Sequence, residues 1–469
     1  MPKIIKQHNI DRILHHPSIF KGILIMAMPV FLNNILKSLH DLVDAIFISR
    51  MDAPNQATLD AGLAALNIHW PVFSLFMALA TGLSVATVAM LSQYVGLGRK
   101  DLAQSYASKL LGLGILFALA VTFIFFITSD RVWGYNLIAY LMGARDEALI
   151  FAGRYFRIRS YEFVLVFIFI VYQAIRQATG ETLFPVILNV AGLVINMVLT
   201  WYFIFILKMG IEGAAIATLI AHAAPMPFIV FDLLRSKKHL TIKPALMPFT
   251  LETLDEMKRF AVPAAIGQAV SSLGFMVVQS VIIRYGNHVS AGFSVGNRIS
   301  SLLLNPVVAI STVTAAFIGL NIGHGQPFRA KKSYEVAKYM SLAISIVGAL
   351  IIIPFRFGII ELILGTQTSD AYRIAGIYTV WVLSTQPFMA WFQSYITLFN
   401  GSGHSHYTLK MAMLRLWGIR VPLVLLAVFL LPKDDYRGVF WAMMISNIVI
   451  IFYGHHLKKN INYEVQVKL

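Results

Sequence analysis

Long apolar runs, broken by short polar stretches, occupy the chain from Gly22 almost to its end. About 20 apolar residues suffice for a helix to cross a bilayer. The runs therefore predict twelve spans, at 22–49, 62–92, 103–128, 148–178, 182–207, 211–234, 258–284, 291–322, 336–363, 371–400, 408–431 and 437–457. A short aromatic stretch from Trp133 to Gly143 precedes the fourth span and reads as an interfacial helix lying outside the bilayer. The pattern is that of an all-α polytopic membrane protein.

The longest polar stretch, 235–257 (RSKKHLTIKPALMPFTLETLDEM), falls at mid-chain and divides it into two halves that share markers in one order. Ala27-Met28-Pro29 matches Ala261-Val262-Pro263. Ala61-Gly62 with Asn67 matches Ala291-Gly292 with Asn297. Gly96-x-Gly98 with Ala103 matches Gly323-x-Gly325 with Ala330. The separations drift slowly, 234 for the prolines, 230 for the asparagines and 227 for the second glycines. Weaker echoes follow in Thr179-Gly180 against Ser402-Gly403 and Gly213 against Gly438. Twelve spans in two parallel six-helix repeats predict two lobes around a central cavity, an architecture suited to rocking-type alternating access. The expected organisation is an N-terminal segment 1–21, a lobe 22–234, a linker 235–257, a second lobe 258–457 and a tail 458–469.

Composition agrees. Of the 469 residues, 58% are hydrophobic and 13% charged, against about 45–50% and 25% in soluble domains. This excludes an ordinary soluble enzyme. The net charge of +16 would point to nucleic acid in a soluble chain, but here it follows the loops. With the N-terminus inside, inner segments hold 22 Lys and Arg and outer segments 11. The positive-inside rule then places both termini in the cytoplasm. Cysteine is absent, which excludes disulfides and Cys metal sites. The first twenty residues, MPKIIKQHNIDRILHHPSIF, lack the apolar core of a cleavable signal.

An acid within the bilayer is costly and marks a functional candidate. The first span carries Lys37, His40, Asp41 and Asp44. Lys37, Asp41 and Asp44 share one helical face, and His40 stands four residues before Asp44. That face must look into the bundle or a watery cavity, where a carboxylate binds H+ or Na+; a self-neutralising Lys37–Asp41 pair is the plainer reading of those two. Asp44 is the leading candidate. Arg159 and Glu162, three apart in the fourth span, can pair or meet substrate. Gln268, Gln279, Gln386 and Gln393 are candidates for the cavity wall, though interhelical hydrogen bonds are the commoner fate of such residues. Arg298 and Arg420 read as the second half's intramembrane charges. Arg420 is expected to bind helix-end carbonyls. His404 and His406 lack a second ligand pair and do not form a metal site. The 33 Phe, 18 Tyr, 7 Trp and 19 Met offer cation–π and adaptable apolar surface.

Taken together, the early Ala-x-Pro, the segment Leu39 to Ser49, QYVGLG after the second span, RQATG after the fourth and GIEGAAIAT in the sixth resemble the multidrug and toxic compound extrusion (MATE) transporters, over essentially the whole chain. The prokaryotic DinF-like branch is the nearer one, since the first span carries the LVD aspartate. The resemblance implies efflux of amphipathic, often cationic compounds driven by inward H+ or Na+, without a cofactor, by a monomer in the prokaryotic inner membrane. It assigns Asp44 as the coupling carboxylate, with Asn196, Thr218 and the fourth-span Gln173 near the ion. Thr200 departs from the branch, where a second Asp is common, and Lys37, His40 and Asp41 replace residues usually uncharged. Ser271 and Met389 fall near positions that are acidic in the NorM-like branch, which argues against a cation site of that type here. Oxygen atoms of Asp44, Asn196, Thr200 and Thr218 suit Na+; Lys37 and His40 beside them favour H+. A flippase for a lipid-linked precursor is the alternative, disfavoured by twelve spans and few intramembrane cations. A membrane enzyme lacks a catalytic cluster near an interface, and a channel lacks pore rings or a filter loop.

Overall fold

The structure is a computed structural model that describes residues 8–15, 17–49, 56–129, 136–141, 146–236, 239–364, 370–432 and 435–468. A short helix α1 (His8–His15) leads into α2 (Ile19–Ser49), α3 (Gln56–Gly96) and α4 (Lys100–Thr128). The short α5 (Leu137–Leu141) lies within the stretch expected to form an interfacial helix. Then come α6 (Asp146–Ser160), α7 (Glu162–Ala178), α8 (Leu183–Trp201), α9 (Gly210–Ala223) and α10 (Met226–Arg235). The second half holds α11 (Leu251–Arg284), α12 (Asn287–Gly323), α13 (Pro327–Leu364), α14 (Asp370–Ser384), α15 (Gln386–Gly401), α16 (Ser405–Met413), α17 (Val421–Leu430) and α18 (Arg437–Lys458). Among the described residues ten helical segments are long and apolar enough to span, and the bent pair α6–α7 makes an eleventh. The pair α14–α15, interrupted at Thr385, takes the twelfth place.

The fourth and tenth spans break at equivalent places, for related reasons. Between α6 and α7 the axis turns by 45°. Ser160 Oγ donates to the Arg157 carbonyl at 2.7 Å, and the Ser160 carbonyl accepts from Thr122 Oγ1 at 3.0 Å. A carbonyl drawn to a neighbouring helix leaves its own ladder, and the helix bends there. At the other break Thr385 Oγ1 donates to the Val382 carbonyl at 3.0 Å, and Pro387 supplies no N–H.

The repeat is also written in backbone geometry. Gly98 and Gly325 have φ of 73° and 71°, Gly180 and Gly403 of 80° and 84°. Each closes a helix in the left-handed conformation that glycine adopts freely. The next residue's N–H returns to a carbonyl five back: Arg99 to Tyr94 at 3.0 Å, Gln326 to Asn321 at 2.8 Å, Glu181 to Arg176 at 2.9 Å and His404 to Phe399 at 2.7 Å.

The two lobes share one core at the end of the bundle that carries α1 and the segment around Val467. There Ile23, Met90, Tyr94 and Leu110 of the first lobe pack in one cluster with Phe260, Val313 and Phe317 of the second. Toward the other end the described clusters belong to single lobes: one around Phe125, Phe156 and Phe163, another around Phe293, Tyr378 and Phe440. The lobes therefore join at one end and part toward the other. At the join α3 and α12 pass backbone to backbone. A Cβ on Gly96 would strike the Leu320 carbonyl, and one on Gly323 the Gln93 carbonyl. The repeat-related glycines thus face each other across the seam.

The tail crosses the same seam. Gln466 N donates to Gln93 Oε1 at 2.8 Å, Lys468 N to Glu256 Oε1 at 3.0 Å, and Tyr94 Oη to the Lys468 carbonyl at 3.0 Å. The linker docks on the first lobe through Gln104–Thr241 at 2.8 Å and Lys243 N to Ser108 Oγ at 2.9 Å.

Forcing a methyl into the seam costs roughly 1–3 kcal/mol. Gly323→Ala should lower the thermal unfolding midpoint in detergent, whereas Gly358→Ala, where a Cβ meets open space, should not. Equal midpoints for the two variants would show that the helices do not touch there.

Candidate functional site: a polar chain in the first lobe and a cavity between the lobes

Within the first lobe, polar side chains from four helices form one connected line. Thr200 Oγ1 donates to Asn196 Oδ1 at 3.2 Å, and Asn196 Nδ2 to Thr218 Oγ1 at 3.1 Å. Thr218 Oγ1 donates to the Ala214 carbonyl at 2.9 Å, while its own carbonyl lies 3.0 Å from His222 Nδ1. His222 Nδ1 is also 3.4 Å from Glu162 Oε1, and Glu162 Oε2 pairs with Arg159 Nε at 2.7 Å. Glu162 is 1% exposed. The bend after Ser160 brings it inward from the first turn of α7. Asn196, Thr218 and His222 line a cavity of about 30 Å³, room for one water molecule or a small cation.

Helix α2 lies against this region: Phe47 meets Phe205 at 5.8 Å between ring centroids and packs beside Ile204 and Ala214. His40, Asp41 and Asp44 belong to this helix, but their side chains lie outside the described residues. Lys37 is exposed, and Gln173 is half-buried in α7.

A larger cavity of about 510 Å³ lies between the lobes. Thr81, Ser84 and Gln177 contribute from the first lobe; Gln268, Ser271 and Gln393 from the second. Gln177 Nε2 donates across to the Thr312 carbonyl. Of the four glutamines expected on the wall, Gln268 and Gln393 line it. Gln279 instead donates to Ser290 Oγ at 3.4 Å, and Gln386 to the Ser300 carbonyl at 3.0 Å and Oγ at 3.1 Å. Glu162, also expected there, does not line this cavity, because Arg159 and His222 hold it within the first lobe.

One wall residue escaped the sequence reading. Arg415 lies in the π-helical stretch Leu414–Arg420 and is 4% exposed. Its guanidinium packs 4.3 Å from the Phe392 ring centroid, and Nη1 meets Met389 Sδ at 2.9 Å. Its Nε has no hydrogen-bond acceptor among the described residues. Arg420, five residues on, does have oxygen partners: Ser446 Oγ at 2.9 Å and Asn447 Oδ1 at 2.6 Å. These are side chains rather than the helix-end carbonyls expected. Arg415 broke the apolar run 408–431 as visibly as Arg420 did, so its charge was there to be read. His222, four residues beyond Thr218, was signalled by that spacing alone.

A family model, MatE, matches residues 29–202 and again 263–426. The chain belongs to the MatE family. The two matches begin at Pro29 and Pro263, the markers that open the repeat. Members of this family are transporters, so the chain is a multi-span membrane transporter and not an enzyme. It is 25% identical over 417 residues to the "Probable multidrug resistance protein YoeA" of Bacillus subtilis, covering 87% of this chain and 86% of that one. It is 21% identical over 442 residues to the multidrug export protein MepA of Staphylococcus saprophyticus, covering 92% of each. Among solved structures, an outward-facing conformation of a multidrug resistance MATE family transporter superposes with a TM-score of 0.85 at 22% identity, covering 98% of both chains. That likeness carries the twelve-helix, two-lobe fold.

In this MatE chain the Arg159–Glu162 pair is buried, and stripping one partner strands a charge, at about 3–5 kcal/mol. Glu162→Gln should lower unfolding stability in detergent by that order. Adding Arg159→Met should recover most of the loss. Additive losses in the double variant would show that the two side chains do not act as a pair.

Proposed function

We propose that this transporter is a secondary active antiporter that exports amphipathic organic compounds in exchange for H+, with Na+ the alternative ion. It needs no cofactor, and it works as a monomer in the prokaryotic inner membrane with both termini in the cytoplasm. The observation that carries the reading is the separation of two sites. A titratable polar line with a water-sized cavity lies within one lobe, and a cavity of drug-sized volume lies between the lobes. An antiporter needs both, coupled through the movement of one lobe against the other.

In this reading Asp44, carried on α2, takes and releases the coupling ion. Asn196, Thr200 and Thr218 orient the adjacent polar line. Glu162 and His222 extend that line to α7, and Lys37 and His40, near Asp44 in the sequence, favour H+ over Na+. Lys37, His40 and Asp41 set the charge around Asp44, and Gln173 adds a polar group from α7. The ion's binding energy must differ between the two orientations of the lobes, for only a differential affinity shifts that equilibrium. Drug-export relatives support drug-like cargo.

The test is uptake into vesicles of two xanthene dyes, anionic sulforhodamine B and cationic rhodamine 6G, under an imposed pH or Na+ gradient. At least one dye should move under the pH gradient alone. Asp44→Asn and Glu162→Gln should each slow it tenfold or more. Failure of both dyes to move under either gradient would contradict an exporter.

A further inference from the structure

We infer that the central cavity is built to take an organic anion: an amphipathic molecule carrying a carboxylate, sulfonate or phosphate group, bound by Arg415. The inference deepens the exporter reading and rests on it for transport, though not for binding.

Arg415 is the only ionisable residue lining the cavity among the described residues, and no carboxylate lines it. Neither Arg415 nor Arg420 has a carboxylate partner among the described residues, yet both approach Phe275, at 5.9 Å and 5.6 Å from its ring centroid. Arg420 is satisfied by Ser446 and Asn447. Arg415 has a thioether, a weak acceptor, and an Nε with no acceptor among the described residues. A guanidinium stays protonated even when buried, and its donor fork matches a carboxylate or phosphate. The Phe392 ring fixes the plane of that fork from one side. A cationic ligand would meet uncompensated positive charge in this cavity; an anionic one would supply the missing acceptor. The remaining wall suits the rest of such a molecule. Gln268, Gln393 and Ser271 offer neutral hydrogen bonds, and Phe275 and Ile396 offer apolar contact. The π-helical stretch that carries Arg415 departs from regular geometry in the way often seen at binding sites. Anionic cargo replaces the cationic cargo that family resemblance implies.

Binding is measured on the full-length protein in detergent by fluorescence anisotropy, with sulforhodamine B and rhodamine 6G as probes. The wild type should bind sulforhodamine B at least tenfold more tightly than rhodamine 6G. Arg415→Gln should weaken sulforhodamine B at least tenfold, and Arg415→Lys by less. Met389→Glu places a carboxylate where the guanidinium already points. It should abolish the preference for the anion while keeping Arg415 paired, which guards against loss through misfolding; monodisperse elution on size exclusion checks each variant. Equal or better binding of rhodamine 6G, absence of sulforhodamine B binding by the wild type, or indifference to Arg415→Gln would each overturn the inference. Arg415-dependent binding without gradient-driven uptake would leave the anion site standing and remove the exporter reading. Gradient-driven uptake of rhodamine 6G that is indifferent to Arg415→Gln would do the reverse.

Discussion

A charge inside a membrane bundle needs a partner, because hydrocarbon offers none. That constraint orders the helices of this protein. Arg176, wholly buried, reaches Asp232 Oδ2 at 2.8 Å and the Leu240 carbonyl at 2.7 Å, which ties α7 to α10 and to the linker. Tyr172 and His239 complete the acid's coordination at 2.9 Å and 3.0 Å. Glu256, at the start of α11, accepts from Tyr94 and Tyr106 of the other lobe and from the backbone of Lys468. In each case the partners come from different elements, so satisfying the charge also selects which helices pack together. Arg415 stands out against this background. It is as buried as the rest but has no oxygen acceptor among the described residues, and a buried charge without one is either a defect or a site.

Duplication supplies the frame, and charge is placed unequally in its two halves. Gly98 and Gly325, Gly180 and Gly403, and the broken fourth and tenth spans show that one design was used twice. Small residues then let the copies meet closely at one end. The Ser92 side chain faces Gly319 and the Gln93 backbone faces Gly323, and the shared core forms around that contact. Away from the seam the halves diverge. The first lobe holds an acid, a histidine and a line of hydroxyls and amides; the second holds two arginines and neutral partners.

Much of this was legible in the residues. Apolar run length gave the spans, and the paired glycines and prolines gave the repeat, because backbone conformation and close approach restrict residue choice strongly. Thr200, Asn196 and Thr218 were recognisable by resemblance and do lie together in one hydrogen-bonded line. Distances between helices were not legible. Nothing in the local sequence says that His222 would approach Glu162, or that Gln386 would be consumed by Ser300 while Gln393 faces the cavity. Spacing defines a face of a helix, but the neighbour of that face depends on crossing angles and bends. The bend after Ser160 shows this well: a serine in an apolar run is unremarkable until its carbonyl is seen bonded to Thr122. Arg415 was overlooked although it breaks the same apolar run as Arg420. Both are buried, and only their packed neighbours tell them apart: Arg420 meets Ser446 and Asn447, Arg415 the Met389 thioether.

The account as a whole depends on two lobes that rock about the shared core, closing one end as the other opens. The chain has no cysteine, so paired spin labels can be placed without background. One pair, at Met209 and Leu431, spans the parted end; another, at Arg99 and Phe328, spans the joined end. Distances are read by double electron–electron resonance in lipid nanodiscs, at low and high pH and with cargo added. The account predicts opposite changes, the first distance shortening in the same condition that lengthens the second. Distances that stay fixed in every condition, or that rise and fall together, would contradict it.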